Sequence, residues 1–264
     1  VNARILKSSW YKRWLFRKFK FIVKIPGDIV WERARINSLT SRDIMEFQTD
    51  KLSWKYRAFR KLFSYSVKTA SLVLVPSTQL ENLALTWGAR PAQTQLVFNS
   101  VQVSEVPVSK ELPTYDFVTV SRLVPWKGID QVIETVCNQG YRLLVVGEGP
   151  QRIALERAAS NFPGLVDFAG EVAANDVPSM LKKARCFILN SSFEATSYAL
   201  LEAMSLGLVP IANEGTGSQE VIQHGVNGFL CGQMNRMDLL GAIKTVMQNP
   251  EAANLMSLSA RETI

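Results

Sequence analysis

The residues best suited to chemistry begin with two carboxylates, Glu194 and Glu202, in the stretch FILNSSFEATSYALLEAMSLGLVP over 187–210. Such a pair, placed where the chain leaves a strand and enters a helix, can work as acid and base in hydrolysis. Upstream, SRLVPWKG places Arg122 and Lys127 five residues apart in a turn before a helix. Arg offers a planar fork and Lys a mobile point charge, so the two can hold a diphosphate from two sides. Two ordinary surface cations would have the same spacing. Gly147-Glu148-Gly149-Pro150 follows the next apolar run, where glycines let a backbone approach closely. Phe168-Ala169-Gly170-Glu171-Val172 ends another and exposes amides and carbonyls that can pair with the edge of a base. Glu214-Gly215-Thr216-Gly217-Ser218-Gln219-Glu220 reads as a Gly-rich loop opening a helix, whose free N–H groups can face an anion. The only histidine, His224, lies in QHGVNG and reads as a turn residue rather than a base.

These loops need elements to hold them at one edge. From Asp116 onward apolar strands alternate with helical patterns. Strands are expected at 117–121, 142–146, 166–168, 186–189, 208–211 and 228–230. Helices are expected at 129–138, 150–160, 176–183, 197–206, 218–223 and 237–248. That alternation predicts an α/β fold with a doubly wound parallel sheet, which binds ligands at the carboxyl ends of its strands. The first part reads as a strand over 19–25, a polar charged segment over 31–50, and a helix over 54–68. A strand at 72–75, a helix from Ser77 to Trp87 and a strand at 95–98 follow. Pro107 and Pro113 lie where periodicity fades, so the expected division is a domain over 1–103, a linker over 104–115 and a domain over 116–264.

At 264 residues, with 47% apolar and 20% charged, the composition is that of a globular protein. No run reaches the roughly 18 consecutive apolar residues of a membrane-spanning helix, and no signal-peptide pattern opens the chain. Cys137, Cys186 and Cys231 are odd in number and unclustered, which suits buried thiols in a reducing compartment. Charge is uneven: residues 1–76 hold 17 Lys and Arg against 5 Asp and Glu, and the remainder 13 against 18. The segment ARILKSSWYKRWLFRK over 3–18 can form a helix with an aromatic stripe and a cationic flank. It would lie on an anionic membrane surface or pack its Trp face on its own sheet.

Taken together, Ser121-Arg-Leu-x-Pro-x-Lys-Gly128, Val145-Val-Gly-Glu-Gly-Pro150, Glu194 and Glu202, and Glu220-Val-Ile-x-x-Gly-x-x-Gly-Phe-Leu230 resemble the C-terminal domain of family 4 retaining glycosyltransferases. Lys24-Ile-Pro-Gly-Asp-Ile-Val-Trp-Glu-Arg33, Val75-Pro-Ser77 and Trp87-Gly88 resemble the second half of that family's N-terminal domain. The resemblance implies a GT-B architecture of two Rossmann-like domains with parallel sheets, the N-terminal one incomplete. It implies a cytoplasmic enzyme, peripheral on the inner face of the membrane, moving a hexose from a nucleotide sugar to a glycan or lipid-linked acceptor. The donor would be a UDP or GDP sugar and no further cofactor is expected. Arg122 and Lys127 would hold the diphosphate, with Glu194 at the transferred sugar and Glu202 at the ribose. Amides of Thr196, Ser197 and Tyr198 would complete the phosphate clamp. Gly147 and Gly149 would approach the donor, and Gly170, Glu171 and Val172 would meet the base. No metal is implied, and the chain has no Asp-x-Asp pair and no His cluster.

The sequence departs from the family pattern at three places. Ala195 stands where a Gly is usual. The strands and Gly-rich loop that open the N-terminal domain have no counterpart before Lys24, and the chain stops at Ile264, where a long terminal helix is usual. A fragment truncated at both ends is the expectation. Three rival readings stay open: a catalytically incompetent nucleotide-sugar binder, a basic nucleic-acid-binding protein without a recognisable module, and a phosphorylase, whose pyridoxal-phosphate lysine motif is not found. The expected partners are a donor and an acceptor, and no nucleic acid.

Overall fold

A computed structural model describes residues 20–102 and 113–264. The basic aromatic segment over 3–18 and most of the expected linker, residues 104–112, lie outside the described residues. The chain divides into two compact units, Val1–Phe98 and Asn99–Ile264.

In the first unit, strands β1 (Ile22–Lys24), β2 (Leu72–Val75) and β3 (Thr94–Leu96) form a parallel sheet in the order β1-β2-β3. Between β1 and β2 the charged segment forms helix α1 (Ile29–Ile36) and then the long helix α2 (Trp54–Thr69). Helix α1 is an element the charge pattern hides. It starts because the buried Asp28 carboxylate accepts the amides of Val30 (2.9 Å) and Trp31 (3.1 Å), and it buries Val30, Trp31 and Ala34. The other oxygen of Asp28 accepts from Gln48 Nε2 at 3.0 Å, and Trp87 Nε1 donates to Gln48 Oε1 at 2.8 Å. The Asp28 and Trp87 of the sequence motif therefore meet through one glutamine. Helix α3 (Thr78–Thr86) is capped by Ser77, whose hydroxyl accepts from Leu80 N.

The second unit holds six parallel strands: β4 (Tyr115–Val120), β5 (Leu143–Val146), β6 (Val166–Gly170), β7 (Ala184–Leu189), β8 (Val209–Asn213) and β9 (Phe229–Cys231). Their order is β6-β5-β4-β7-β8-β9. Alternate residues feed two cores. Phe117, Leu143, Val145, Cys186 and Ile188 pack on one face, with helices α4 (Ile129–Cys137), α5 (Arg152–Ala159) and α8 (Arg236–Gln248). Val118, Leu144, Val146, Phe187 and Leu189 pack on the other, with α6 (Val177–Leu181), α7 (Tyr198–Ser205) and Ala260 of α9 (Pro250–Thr263), whose Met256 joins the first core. Period-two alternation under helices on both faces is what nearly continuous apolar strands require.

Three local differences from the sequence expectation have physical causes. Pro150 precedes helix α5 in a turn rather than opening it, since Gln151 is the N-cap. The Gly-rich loop closes into a short 3-10 turn, Gly217–Glu220, in place of a helix over 218–223, because Thr216 caps it and Val221 leaves the helical region. Asn249 interrupts the C-terminal helical pattern, and Pro250 opens a second helix, α9, that buries Met256 and Ala260.

Candidate functional site

Strand order reverses between β4 and β7. The helix after β4 lies on one face and the helix after β7 on the other, so the loops at their carboxyl ends lead to opposite faces, the place where open parallel sheets bind ligands. Arg122 and Lys127 lie in the first of these loops, and Glu194, Thr196 and Ser197 in the second.

Lys127 closes a 3-10 turn, Pro125–Lys127, and is followed by Gly128 in the left-handed region at φ 56°. A side chain at Gly128 would strike Asn190 Nδ2 at 2.6 Å. That amide donates to Gly128 O at 3.1 Å, so the strand-end Asn190 holds the β4 loop from the β7 side. The Lys127 ammonium is bonded to a carboxylate oxygen of Glu194, and both side chains are largely buried, at 10% and 16% exposure. The cation expected at the diphosphate and the carboxylate expected at the sugar are thus ion-paired across the point where strand order reverses.

The Glu194 loop is fixed along its length. Ser192 N donates to Trp126 O (2.8 Å), Gly217 N to Glu194 O (2.8 Å) and Asn99 Nδ2 to Thr196 O (2.7 Å). Gly217 must be a glycine because an added Cβ would lie 2.7 Å from the carbonyl carbon of Ala195. Ala195 itself is not among the residues with positive φ, so its methyl imposes no backbone strain. Neither Asn99 nor Asn190 was singled out from the sequence; the one available signal was an Asn directly after an apolar strand.

Arg122 is exposed, with its guanidinium 5.7 Å from the centre of the Trp126 ring. Gly147 and Gly149 explain how its loop is seated. A Cβ on Gly147 would come within 1.9 Å of Ser121 O, and one on Gly149 within 2.4 Å of Leu123 O. Both glycines therefore let their backbone pack closely on the Arg122 loop. The carbonyl of Gly170 is taken by Gly147 N at 2.7 Å, while Glu171 is exposed and Val172 packs on the core.

Glu202 stands apart from Glu194. It lines a cavity of about 780 Å³ with Tyr198, Asn175, Pro178, Ser100 and Gln102, whereas Glu194, Arg122 and Lys127 are not among the lining residues. Its carboxylate takes no hydrogen bond from a described residue, and burial raises its pKa above the ordinary glutamate value. Helix α7 begins at Ser197 without a side-chain cap, which leaves its first amides to other acceptors. His224 is exposed; its Nδ1 accepts Leu230 N–H at 3.1 Å, and its ring meets Phe229 edge-on, as befits a turn residue. The thiols of Cys137, Cys186 and Cys231 are buried and free, and burial pushes the last two up to about 12.

The model of the glycosyl transferases group 1 family matches residues 105–263. A phosphatidylinositol N-acetylglucosaminyltransferase subunit from Arabidopsis thaliana is 32% identical over 160 residues, covering 57% of this chain and 36% of that protein. A sulfoquinovosyl transferase of the same plant is 24% identical over 264 residues, 90% of this chain and 51% of its own length. The chain thus spans about half or less of these relatives. Among solved structures, sucrose-phosphate synthase from Thermosynechococcus elongatus superposes with a TM-score of 0.78 at 20% identity, covering 96% of this chain and 65% of that one. The Anabaena protein HepE, solved with UDP and glucose, does so with a TM-score of 0.74 at 19% identity, covering 94% and 67%. These neighbours share the GT-B fold, an α/β architecture with parallel sheets.

Proposed function

The chain belongs to the glycosyl transferases group 1 family, and from that premise we propose that it carries the donor site of a family 4 retaining hexosyltransferase. The proposed donor is a UDP or GDP sugar, and the acceptor a glycan or a lipid-linked saccharide. The Lys127–Glu194 ion pair across the reversal of strand order carries this reading, because it puts a phosphate-binding cation beside a carboxylate suited to a sugar hydroxyl. Arg122 and Lys127 meet the diphosphate, joined by the first amides of helix α7. Glu202, without a hydrogen-bond partner among the described residues and lining a cavity, accepts from the ribose hydroxyls.

In the proposed reaction the bond from the sugar's anomeric carbon to the phosphate oxygen breaks, and its electron pair leaves with the nucleotide. The acceptor hydroxyl oxygen bonds to the anomeric carbon on the same face, and its proton passes to the departing phosphate oxygen. Charge on the leaving group is met by Arg122, Lys127 and backbone amides, so the step needs no metal ion. Glu194 and Glu202 act by binding and orientation, with neither transferring a proton. Placing the enzyme in the cytoplasm belongs to the same proposal and draws on the buried free thiols.

Thermal-shift titration with UDP, GDP and ADP sugars, paired with transfer of a labelled sugar by the full-length protein, tests this reading. A rise in Tm with one nucleotide, abolished by Arg122→Ala with Lys127→Ala, is expected. Nucleotide binding that survives that double change would overturn the site. Binding without transfer by the full-length protein would favour a nucleotide-sugar binder.

A further inference from the structure

A second charged feature lies in the first unit and does not depend on the donor-site reading. Helix α2 runs for 16 residues with five cations and no carboxylate. Its spacing sorts them. Trp54, Arg57, Lys61, Tyr65 and Lys68 recur every three or four residues and share one stripe, while Ser66 and Val67 are buried. Arg57, Lys61 and Lys68 are exposed. They line a concavity of about 490 Å³ with Asp50, Leu52, Arg60, Ser64 and Tyr65.

The one acid in that lining is already committed. Asp50 accepts from Arg42 Nη1 at 2.6 Å and from Thr40 Oγ1 at 3.3 Å. Arg60 is turned inward, donating to Phe47 O and Gln48 O and stacking 4.8 Å from the centre of the Phe47 ring. Arg57, Lys61 and Lys68 make no ion pair with a described residue. The Lys68 stem runs against Gly88, where an added Cβ would come within 2.2 Å of Lys68 Cε, so a glycine at φ 95° makes room for it. Like charges four apart on a helix destabilise it, and the one carboxylate in the lining, Asp50, is already paired with Arg42. A bound anion would offset them.

We propose that this groove is a binding site for a phosphate-bearing anion, held by Arg57, Lys61 and Lys68. The guanidinium of Arg57 suits two phosphate oxygens at once, the lysines supply point charges, and the Ser64 hydroxyl is a further donor. The volume suits a diphosphate or a phosphorylated headgroup. Both a soluble phosphate and a lipid headgroup have this chemistry, and Trp54 on the same stripe is 69% exposed, as an aromatic meeting a bilayer surface would be.

The test uses the whole chain with three probes: inorganic pyrophosphate, vesicles of phosphatidylglycerol in phosphatidylcholine against phosphatidylcholine alone, and a single-stranded oligonucleotide. Arg57→Gln with Lys61→Gln should weaken pyrophosphate or anionic-vesicle binding by roughly tenfold or more, with Tm not lowered. Single Lys61→Gln serves if the double variant misfolds. Binding should also weaken as salt is raised. Loss in the pyrophosphate arm supports a soluble ligand, and loss in the vesicle arm alone supports a lipid headgroup. The proposal fails if neither probe binds, or if binding is unchanged in the groove variants. It fails equally if pyrophosphate binding is lost only with Arg122→Ala and Lys127→Ala, or if the oligonucleotide is preferred over both.

Discussion

The strand-end loops of the second unit and the outer stripe of helix α2 in the first both gather charge, but they hold it in opposite ways. At the strand ends, cation and carboxylate come from two loops distant in sequence. They are ion-paired and largely buried, and the Glu194 loop is further fixed by three hydrogen bonds. On helix α2 three cations of one sign come from one element, stand exposed and lack ion-pair partners among the described residues. A paired, pinned arrangement fixes atoms where a reaction needs them. An unpaired stripe supplies attraction with little positional demand. Changes in the first region should therefore alter stability and turnover together, and changes in the second should alter affinity alone.

The largest expected effect is that of Lys127→Ala. On the proposed reading it removes a donor to the leaving diphosphate and should slow transfer by the full-length protein by about a hundredfold or more. It also strands Glu194, lowering stability by about 1–3 kcal/mol in chemical denaturation. An unchanged midpoint would mean that the pair does not hold the loop. Next comes Gly217→Ala, where backbone atoms meet the new methyl; a loss of about 1–3 kcal/mol is expected, read by thermal melting. A silent substitution there would show that the Glu194 loop shifts freely.

Glu202→Gln should weaken nucleoside diphosphate binding by about tenfold, as loss of a charged hydrogen-bond acceptor does. Titration calorimetry against Glu194→Gln decides it, since equal losses of nucleotide affinity in both variants would erase the division of roles between the two carboxylates. The same Glu202→Gln change has a pH signature. Burial raises the Glu202 pKa, so the folded chain holds that proton more readily than the unfolded one. Stability thus falls as pH rises from the ordinary glutamate value through the raised one, and stays lowered above it. The Gln variant should melt higher at neutral pH, and this advantage should vanish below the ordinary glutamate value. The smallest effect belongs to helix α2. Arg57→Gln with Lys61→Gln should change stability by no more than about 0.5 kcal/mol. A larger loss would reveal a structural role for the stripe and break the contrast.

Much of this was legible in the residues. The apolar runs of β4, β5, β7 and β8 announced parallel strands because both their faces are buried, and the spacing of Phe59, Leu62 and Phe63 announced helix α2. Helix α1 was not legible, since its Glu and Arg content masks three buried positions that only the Asp28 cap and Trp31 contact bring out. The Gly-rich loop looked like a helix start because Gly, Thr and Ser also favour caps, and only the Thr216 cap and the non-helical backbone of Val221 show why it closes as a single turn. For the candidate site, sequence supplied the charged side chains and missed Asn99 and Asn190, which act through backbone carbonyls far away in the chain.

By itself the sequence determined the α/β class and the loops that hold Arg122, Lys127, Glu194 and Glu202, because periodicity and residue type are local properties. Tertiary structure alone decided that Lys127 pairs with Glu194, 67 residues away, while Glu202 lines a cavity that neither of them lines, without a hydrogen-bond partner among the described residues. Strand order governs that outcome: β4 and β7 become neighbours only when the sheet assembles, and no spacing along the chain encodes which loops will then face each other.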